Sequence, residues 1–445
     1  MPLLALSLTG LTTACSEKND EEEQQAEEQG GGGAGALTPE QNKERLSQIG
    51  KDFLNLIPKS DFDELDQLAR HIKNNYCKDD DQAEDLEKWA DECFKALVTS
   101  TWQDVKSYAT KNYTRRVYQL SQFRAHLEYR EGKWNVQKNT SDLQATCMDQ
   151  NGQLVVAKLT TSGNTKRVYI GEIEMDKEWN SNLYQYIYEM DQAYAEIPEN
   201  ITITLTRGNQ ALVNITVTTD LSSITGENFD LSKDAASVSV RAQLAGYDIQ
   251  CNRMKAQANA ENGAVVNFLI NKNGQKLLSA EVTATVKFPT SGLVWSEDTN
   301  LDIFVEQLEQ FGGKVTLCKL DVMGKLQVTA ACTDAREIFN QFETAGNNRG
   351  SQATVQECAQ KINNCFTAQF AYDGNGVSQG RMEIEAAPNS KGTKYNLEPA
   401  IVFPDGSRYN MINESYFNED NFESLINLCD KLSESYEKLI EKYED

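Results

Sequence analysis

Gly376-Val377-Ser378-Gln379-Gly380 matches the G-x-S-x-G pattern, which holds a nucleophilic serine on a strained turn from a strand into a helix. That chemistry needs a histidine later in the chain to take the serine proton. The chain has 2 histidines, His71 and His126, and both precede Ser378. The flanks Phe370-Ala371-Tyr372 and Met382-Glu383-Ile384 read as extended, so the pattern is a hairpin turn. The 67 acidic residues offer many carboxylate pairs of the kind that hydrolyse glycosidic bonds, and no spacing singles one out. Asp79, Asp80 and Asp81, followed by Glu84 and Asp85, lack the central glycine of a calcium loop and read as the acidic start of a helix. Asp149 with Asn151, and Asp373 with Asn375, are turns without a third ligand. Tyr184, Tyr186 and Tyr188 share one face if residues 183–188 form a strand. A row of aromatic faces there is a candidate platform for stacking sugars. The 10 cysteines contain no C-x-x-C, so neither a zinc site nor a redox motif is expected, and no other metal or cofactor site. Cys358 and Cys365 lie about 10 Å apart by helix rise, too far for a disulfide. Apart from Cys15, the cysteines fall mostly on apolar positions and read as small buried hydrophobes.

Cys15 differs in context. Residues 1–14 form a short apolar stretch ending in small residues, which reads as a signal peptide without its basic region. That reading leaves room for a start upstream of Met1. Leu11-Thr12-Thr13-Ala14-Cys15 resembles a relaxed bacterial lipobox, which implies cleavage before Cys15 and a diacylglycerol on its sulfur. Residues 15–37 then carry Glu21-Glu22-Glu23 and a glycine run from Gly30. High charge and the absence of any period make this stretch a solvated tether. Gly30, Gly32 and Gly35 fit G-x-G-x-x-G, but no strand precedes them and the acidic run would repel a pyrophosphate. A lipidated cysteine followed at once by acidic residues resembles the surface-export signal of Bacteroidetes lipoproteins. It implies an outer-membrane lipoprotein exposed at the cell surface, held to the membrane by lipid on Cys15. An exported chain with this many thiols fits a reducing habitat.

Charge excludes a further class. With 43 Lys and Arg against 67 Asp and Glu, the formal charge is −24, which would repel a phosphate backbone, so nucleic acid is not an expected partner. No apolar run reaches the length of about 18 residues that a membrane helix needs.

The elements that must position any site follow from the hydrophobic period. Residues 38–110 read as a helical layer. Thr38-Pro39-Glu40-Gln41 is a capping box, Leu46, Ile49, Phe53 and Leu56 recur at helical spacing, and Pro58 ends the run. Ser60 is expected to cap a second helix carrying Leu65, Leu68, Ile72 and Tyr76, and a third is expected over 82–97. Residues 111–296 switch to period two, with glycine turns at Glu131-Gly132, Asn151-Gly152, Gly208 and Asn273-Gly274, and read as an antiparallel meander of hairpins. Residues 297–445 mix helix and strand. Ile303, Phe304, Leu308 and Phe311 read as an amphipathic turn closed by Gly312-Gly313. Helices are expected after Asp334 and over 353–366. A long final helix carries Phe422, Leu425, Cys429, Leu432 and Tyr436. The expected fold is α+β: a large, curved antiparallel sheet with helices from both chain ends packed on it.

Ile197-Pro198-Glu199-Asn200, Asn273-Gly274-Gln275-Lys276 and Phe403-Pro404-Asp405-Gly406, with the tether, resemble an uncharacterised lipoprotein family of Bacteroidales. The resemblance implies a location and no activity. Three functions stay open. The first is a non-enzymatic surface module that binds a glycan or a protein, or plays a structural, assembly role. The second is a carrier enclosing an apolar ligand between curved sheet and helices. The third is a glycoside hydrolase with paired carboxylates.

Overall fold

The computed structural model describes residues 35–76, 98–102, 111–120, 124–138, 140–182, 184–230, 234–257, 263–287, 307–317, 326–347, 351–372, 377–389, 391–411 and 427. In chain order the elements are α1 (Pro39–Asn55), α2 (Asp63–Tyr76), β1 (Val98–Trp102), β2 (Lys111–Gln119), β3 (Ala125–Arg130), β4 (Lys133–Lys138), β5 (Leu143–Met148), β6 (Leu154–Asn180), β7 (Gln185–Arg207), β8 (Gln210–Asp220), β9 (Ala235–Leu244), β10 (Tyr247–Gln257), β11 (Gly263–Lys272), β12 (Gln275–Val286), β13 (Leu308–Leu317), β14 (Leu326–Cys332), α3 (Ala335–Asn347), α4 (Gln352–Cys365), β15 (Phe366–Tyr372), β16 (Ser378–Pro388), β17 (Tyr395–Val402) and β18 (Arg408–Asn410). The described chain is therefore mostly strand with a few helices, and its strand pairs are mostly antiparallel. It divides into two compact units whose boundaries fall near Asp61 and within β12 and β13.

In the unit built from residues 62–275 and 281–309, pairing runs β4–β3–β5–β6–β7–β8–β9–β10–β11. β3–β5 and β2–β7 are parallel, and β1 adds to β2. The β6–β7 hairpin is its spine. The turn Asn273-Gly274 has φ of 48° and 80°, both in the left-handed region that a two-residue hairpin loop of right-handed twist demands. α2 covers part of one face: Leu68 is buried with Cys147, Val155 and Leu212, flanked by Leu65, Ile72, Leu205 and Val213. Tyr76, Tyr129 and Trp134 stack edge to face at its end, where the Trp134 Nε1–H donates to the Tyr76 carbonyl across 2.9 Å.

In the other unit, β13–β14–β15–β16–β17–β18 form an antiparallel ladder. Its apolar face carries α3 and α4, whose Ala345, Val355 and Cys358 pack on Ala386, Tyr395 and Leu397. α1 lies beside Tyr372 and Tyr409: Arg45 sits 4.5 Å over the first ring and Lys43 5.8 Å over the second. The capping box at Thr38 and Gln41 is formed. One residue earlier, the Leu37 N–H donates to Oε1 of buried Gln379 across 2.8 Å, fixing the end of the tether to the start of β16.

Several expectations are corrected. β1 lies inside the stretch read as a helical layer. Val98-Thr99-Ser100-Thr101-Trp102 is rich in β-branched residues, and its ladder with β2 outweighs the helical context. Ser60 lies within a 3₁₀ turn (Lys59–Phe62) rather than at a cap, so α2 starts at Asp63. Leu308, Phe311, Gly312 and Gly313 belong to β13, not to a helical turn. Gly312 and Gly313 face Ala331 and Ala330, and long-range pairing overrides the local pattern there. The helix expected over 82–97 lies outside the described residues, and so does the final helix except for residue 427.

Candidate binding surface

Strict alternation in the spine sorts its side chains. Leu205 and Val213 face the α2 core, so Thr202, Thr204, Asn214 and Thr216 face the other way. Register turns this into two rows crossing the strands. Thr160, Thr202, Thr216, Arg241 and Gln250 are successive partners from β6 to β10. Lys158, Thr204, Asn214, Gln243 and Asp248 form the next row. The Thr, Asn and Gln members are half-buried.

The charges on this face are neutralised locally. Asp142 Oδ2 lies 2.7 Å from Lys158 Nζ, and its Oδ1 lies 2.7 Å from His126 Nε2. Hydrogen bonds from Lys158 first, then His126, hold the Asp142 carboxyl below the usual carboxylate range. Asp248 receives Arg241 Nε at 2.8 Å and Nη2 at 3.0 Å, a bidentate pair that likewise holds Asp248 down. The Asn214 amide donates to Gln243 Oε1 at 3.3 Å.

A crevice opens where the edge partner of β7 changes. β2 pairs as far as Glu196, and β8 takes over from Asn200. Buried Pro198 sits between them and has no N–H to offer either strand, while its carbonyl accepts from Thr219 Oγ1 at 2.9 Å. Opposite, β6 bulges between Ser162 and Thr165. There Gly163 has φ 85°, and a Cβ on it would lie 2.4 Å from Glu199 Oε2, so only glycine fits. The result is a crevice of about 380 Å³ lined, among others, by Lys166, Ile197, Glu199, Asn200, Thr218 and Leu221. Asn164 Nδ2 donates to Glu199 Oε1 at 2.9 Å, and Thr218 Oγ1 to Asn200 Oδ1 at 3.3 Å. Asn200 and Thr218 are two residues along from Thr202 and Thr216, so they extend the polar face to the crevice, while Ile197 and Glu199 alternate with them. The Ser222 hydroxyl and N–H, at 2.6 and 3.1 Å, hold the Asp220 carboxyl below its ordinary range. A general acid needs the opposite shift.

The other unit has a groove of about 410 Å³, lined among others by Thr329, Asn363, Thr367, Gln369, Arg381 and Glu383. Burial alone would raise the Glu383 carboxyl, but Arg381 Nε at 2.8 Å and Arg408 Nη2 at 2.7 Å leave it below the ordinary range.

The residues singled out from the sequence fall as follows. Tyr184 lies in the hairpin turn at φ 49°, 83% exposed, outside the strand that carries Tyr186 and Tyr188. Tyr186 is the register partner of Trp179, and Tyr188 of Lys177. Cys15 and the sequence 79–85 lie outside the described residues, as do Asp373 and Asn375. Asp149 is buried, and its Oδ1 accepts the N–H groups of Asn151 and Gln153 at 2.8 and 2.7 Å, closing the turn. Ser378 opens β16, a strand where the motif needs a helix, and its hydroxyl donates to the Gly380 carbonyl at 3.2 Å. His71 Nε2 lies 3.1 Å from the Met148 carbonyl. Of the cysteines, Cys147, Cys332 and Cys358 are buried thiols. Among the described residues no group of three His, Cys, Asp or Glu could hold a metal ion. Sequence reasoning missed the polar rows and the crevice. The alternation in Thr202-Ile203-Thr204-Leu205-Thr206 was a visible signal for the face, whereas its alignment with β9 and β10 was not.

No family model, no curated protein and no solved structure matches the chain.

Proposed function

We propose that the protein is a surface lipoprotein, anchored through lipid on Cys15, whose folded part is a non-enzymatic module for binding a glycan. The observation that carries this reading is the polar surface of the two rows on the face opposite α2, which Asn200 and Thr218 extend to the crevice. Hydroxyls and amides set at strand spacing suit a ligand that offers many neutral donors and acceptors. Two measurements test it. Metabolic labelling with a radioactive fatty acid in a Bacteroidales host is expected to mark the wild type and not Cys15→Ser. Label on the variant would remove the anchor from this reading. The full chain is expected to retain glycans on an array, and an empty array would remove the ligand class.

A second reading has one observation in its favour. Leu159, Ile203 and Ile215 form an apolar row on the α2 side, and Ile203 is 39% exposed. A carrier would use a curved form of that face. Native mass spectrometry of protein from its own host would then show a lipid-sized mass, and a bare polypeptide mass would exclude a tightly held lipid.

A further inference from the structure

We infer that the polar surface takes a neutral, hydroxyl-rich chain laid across the strands, and not an acidic one. This rests on the glycan-binding reading and narrows it. Three observations carry it.

The first is charge. On the two rows Lys158 is neutralised by Asp142 and Arg241 by Asp248. In the crevice, Lys166 donates to the Ile224 carbonyl and stands beside two carboxylates, Glu199 and Asp220. A uronic-acid or sulfated chain would find its cations already engaged, on a protein of net charge −24. Displacing Asp142 or Asp248 to free a cation would strand a carboxylate that is itself partly buried.

The second is the chemistry of what remains. Thr160, Thr202, Thr204 and Thr216 each offer a hydroxyl that both donates and accepts, and Asn214 and Gln243 offer planar amides. These match sugar hydroxyls, which also do both.

The third is direction. Across the strands each row presents one polar group per strand, at a spacing of about 4.8 Å over five strands. Along β7 the same face offers Asn200, Thr202, Thr204 and Thr206 before the turn at Gly208, but at a wider spacing of about 6.8 Å. A chain of linked rings keeps the closer contacts only when it crosses the strands from β6 to β10, with the crevice flanking the row at Asn200 and Thr218, one row along β7 and β8.

The test uses the full chain carrying Cys15→Ser, titrated calorimetrically with gluco-, xylo- and manno-oligosaccharides of increasing length and with polygalacturonate, at low and at molar salt. Expected is binding of a neutral series. Affinity should rise with length up to about five rings, as set by five strands, and should be insensitive to salt. Thr202→Val with Thr216→Val keeps shape and β-propensity and is expected to weaken binding about tenfold. A urea midpoint shows that this double variant folds. Binding of polygalacturonate alone, weakened by salt, would overturn the inference and leave the glycan reading standing. So would neutral binding that the double variant leaves unchanged, which would move the site elsewhere. Binding of no glycan would overturn both.

Discussion

The Tyr372 hydroxyl donates to Asn42 Oδ1 across 2.9 Å, joining the end of β15 to α1 over a separation of 330 residues. Both side chains are buried, and the Asn42 amide spends its N–H groups on the carbonyls of Leu37 and Thr38. One asparagine therefore ties the helix start to the sheet. Burial pushes the Tyr372 phenol well above its ordinary range, with Arg45 opposing, so the hydroxyl stays a donor at any ordinary pH. Tyr372→Phe leaves a buried acceptor unmet and should cost about 1–3 kcal/mol in a denaturant titration. A loss below a few tenths would mean that α1 is held by other contacts.

Gly380, the last residue of the serine-like motif, is there for packing. A Cβ at this position would lie 2.5 Å from the Phe370 ring, itself part of the cluster with Ile401 and Phe403. Gly380→Ala should destabilise by about 1–3 kcal/mol. A smaller Phe370→Leu side chain should restore part of that loss in the double variant. Additive losses would rule out the ring contact as the cause.

Leu68 is 1% exposed and carries the contact of α2 with β5, β6 and β8. Leu68→Ala should cost about 2–5 kcal/mol, the usual range for a buried leucine. Amide exchange over β5 and β6 should rise with it. If exchange rises in α2 alone, the helix is a separable cap.

Asp142 sets an acid limit. Its carboxyl titrates lower in the folded chain than in the unfolded one, because Lys158 and His126 bond the charged form. Its stabilisation is therefore complete above about pH 4 and disappears as the pH falls through the folded value. The gap in urea midpoint between wild type and Asp142→Asn should be widest above the ordinary carboxylate range and close as the pH falls through the lowered folded value. A gap that persists in acid would show that the carboxylate charge is irrelevant.

Cys332 and Cys358 are buried, and burial pushes both thiols above their ordinary range. In the native protein they should resist a maleimide that labels them completely in denaturant. Rapid native labelling of Cys358 would show that α4 opens.

Much of this protein could be read from its residues alone, because those features depend on near neighbours. The capping box at Thr38, the glycine turns and the period-two alternation of residues 143–217 are local, and each sets a torsion or a face within a few residues. The alternation even assigned Thr202 and Leu205 to opposite faces. Other features needed distant partners. β1 and β13 became strands because ladders with β2 and β14 outweighed their own helical or glycine-rich tendency. The two polar rows exist only because hairpin registers align Thr160, Thr202, Thr216 and Arg241, and a slip of one residue in any pair would send that strand's members to the apolar face. The crevice depends on β2 and β8 meeting at Pro198, residues far apart in the chain whose approach no local pattern encodes. Tyr184 shows the same limit: its spacing suited a strand, but the hairpin register placed it in the turn.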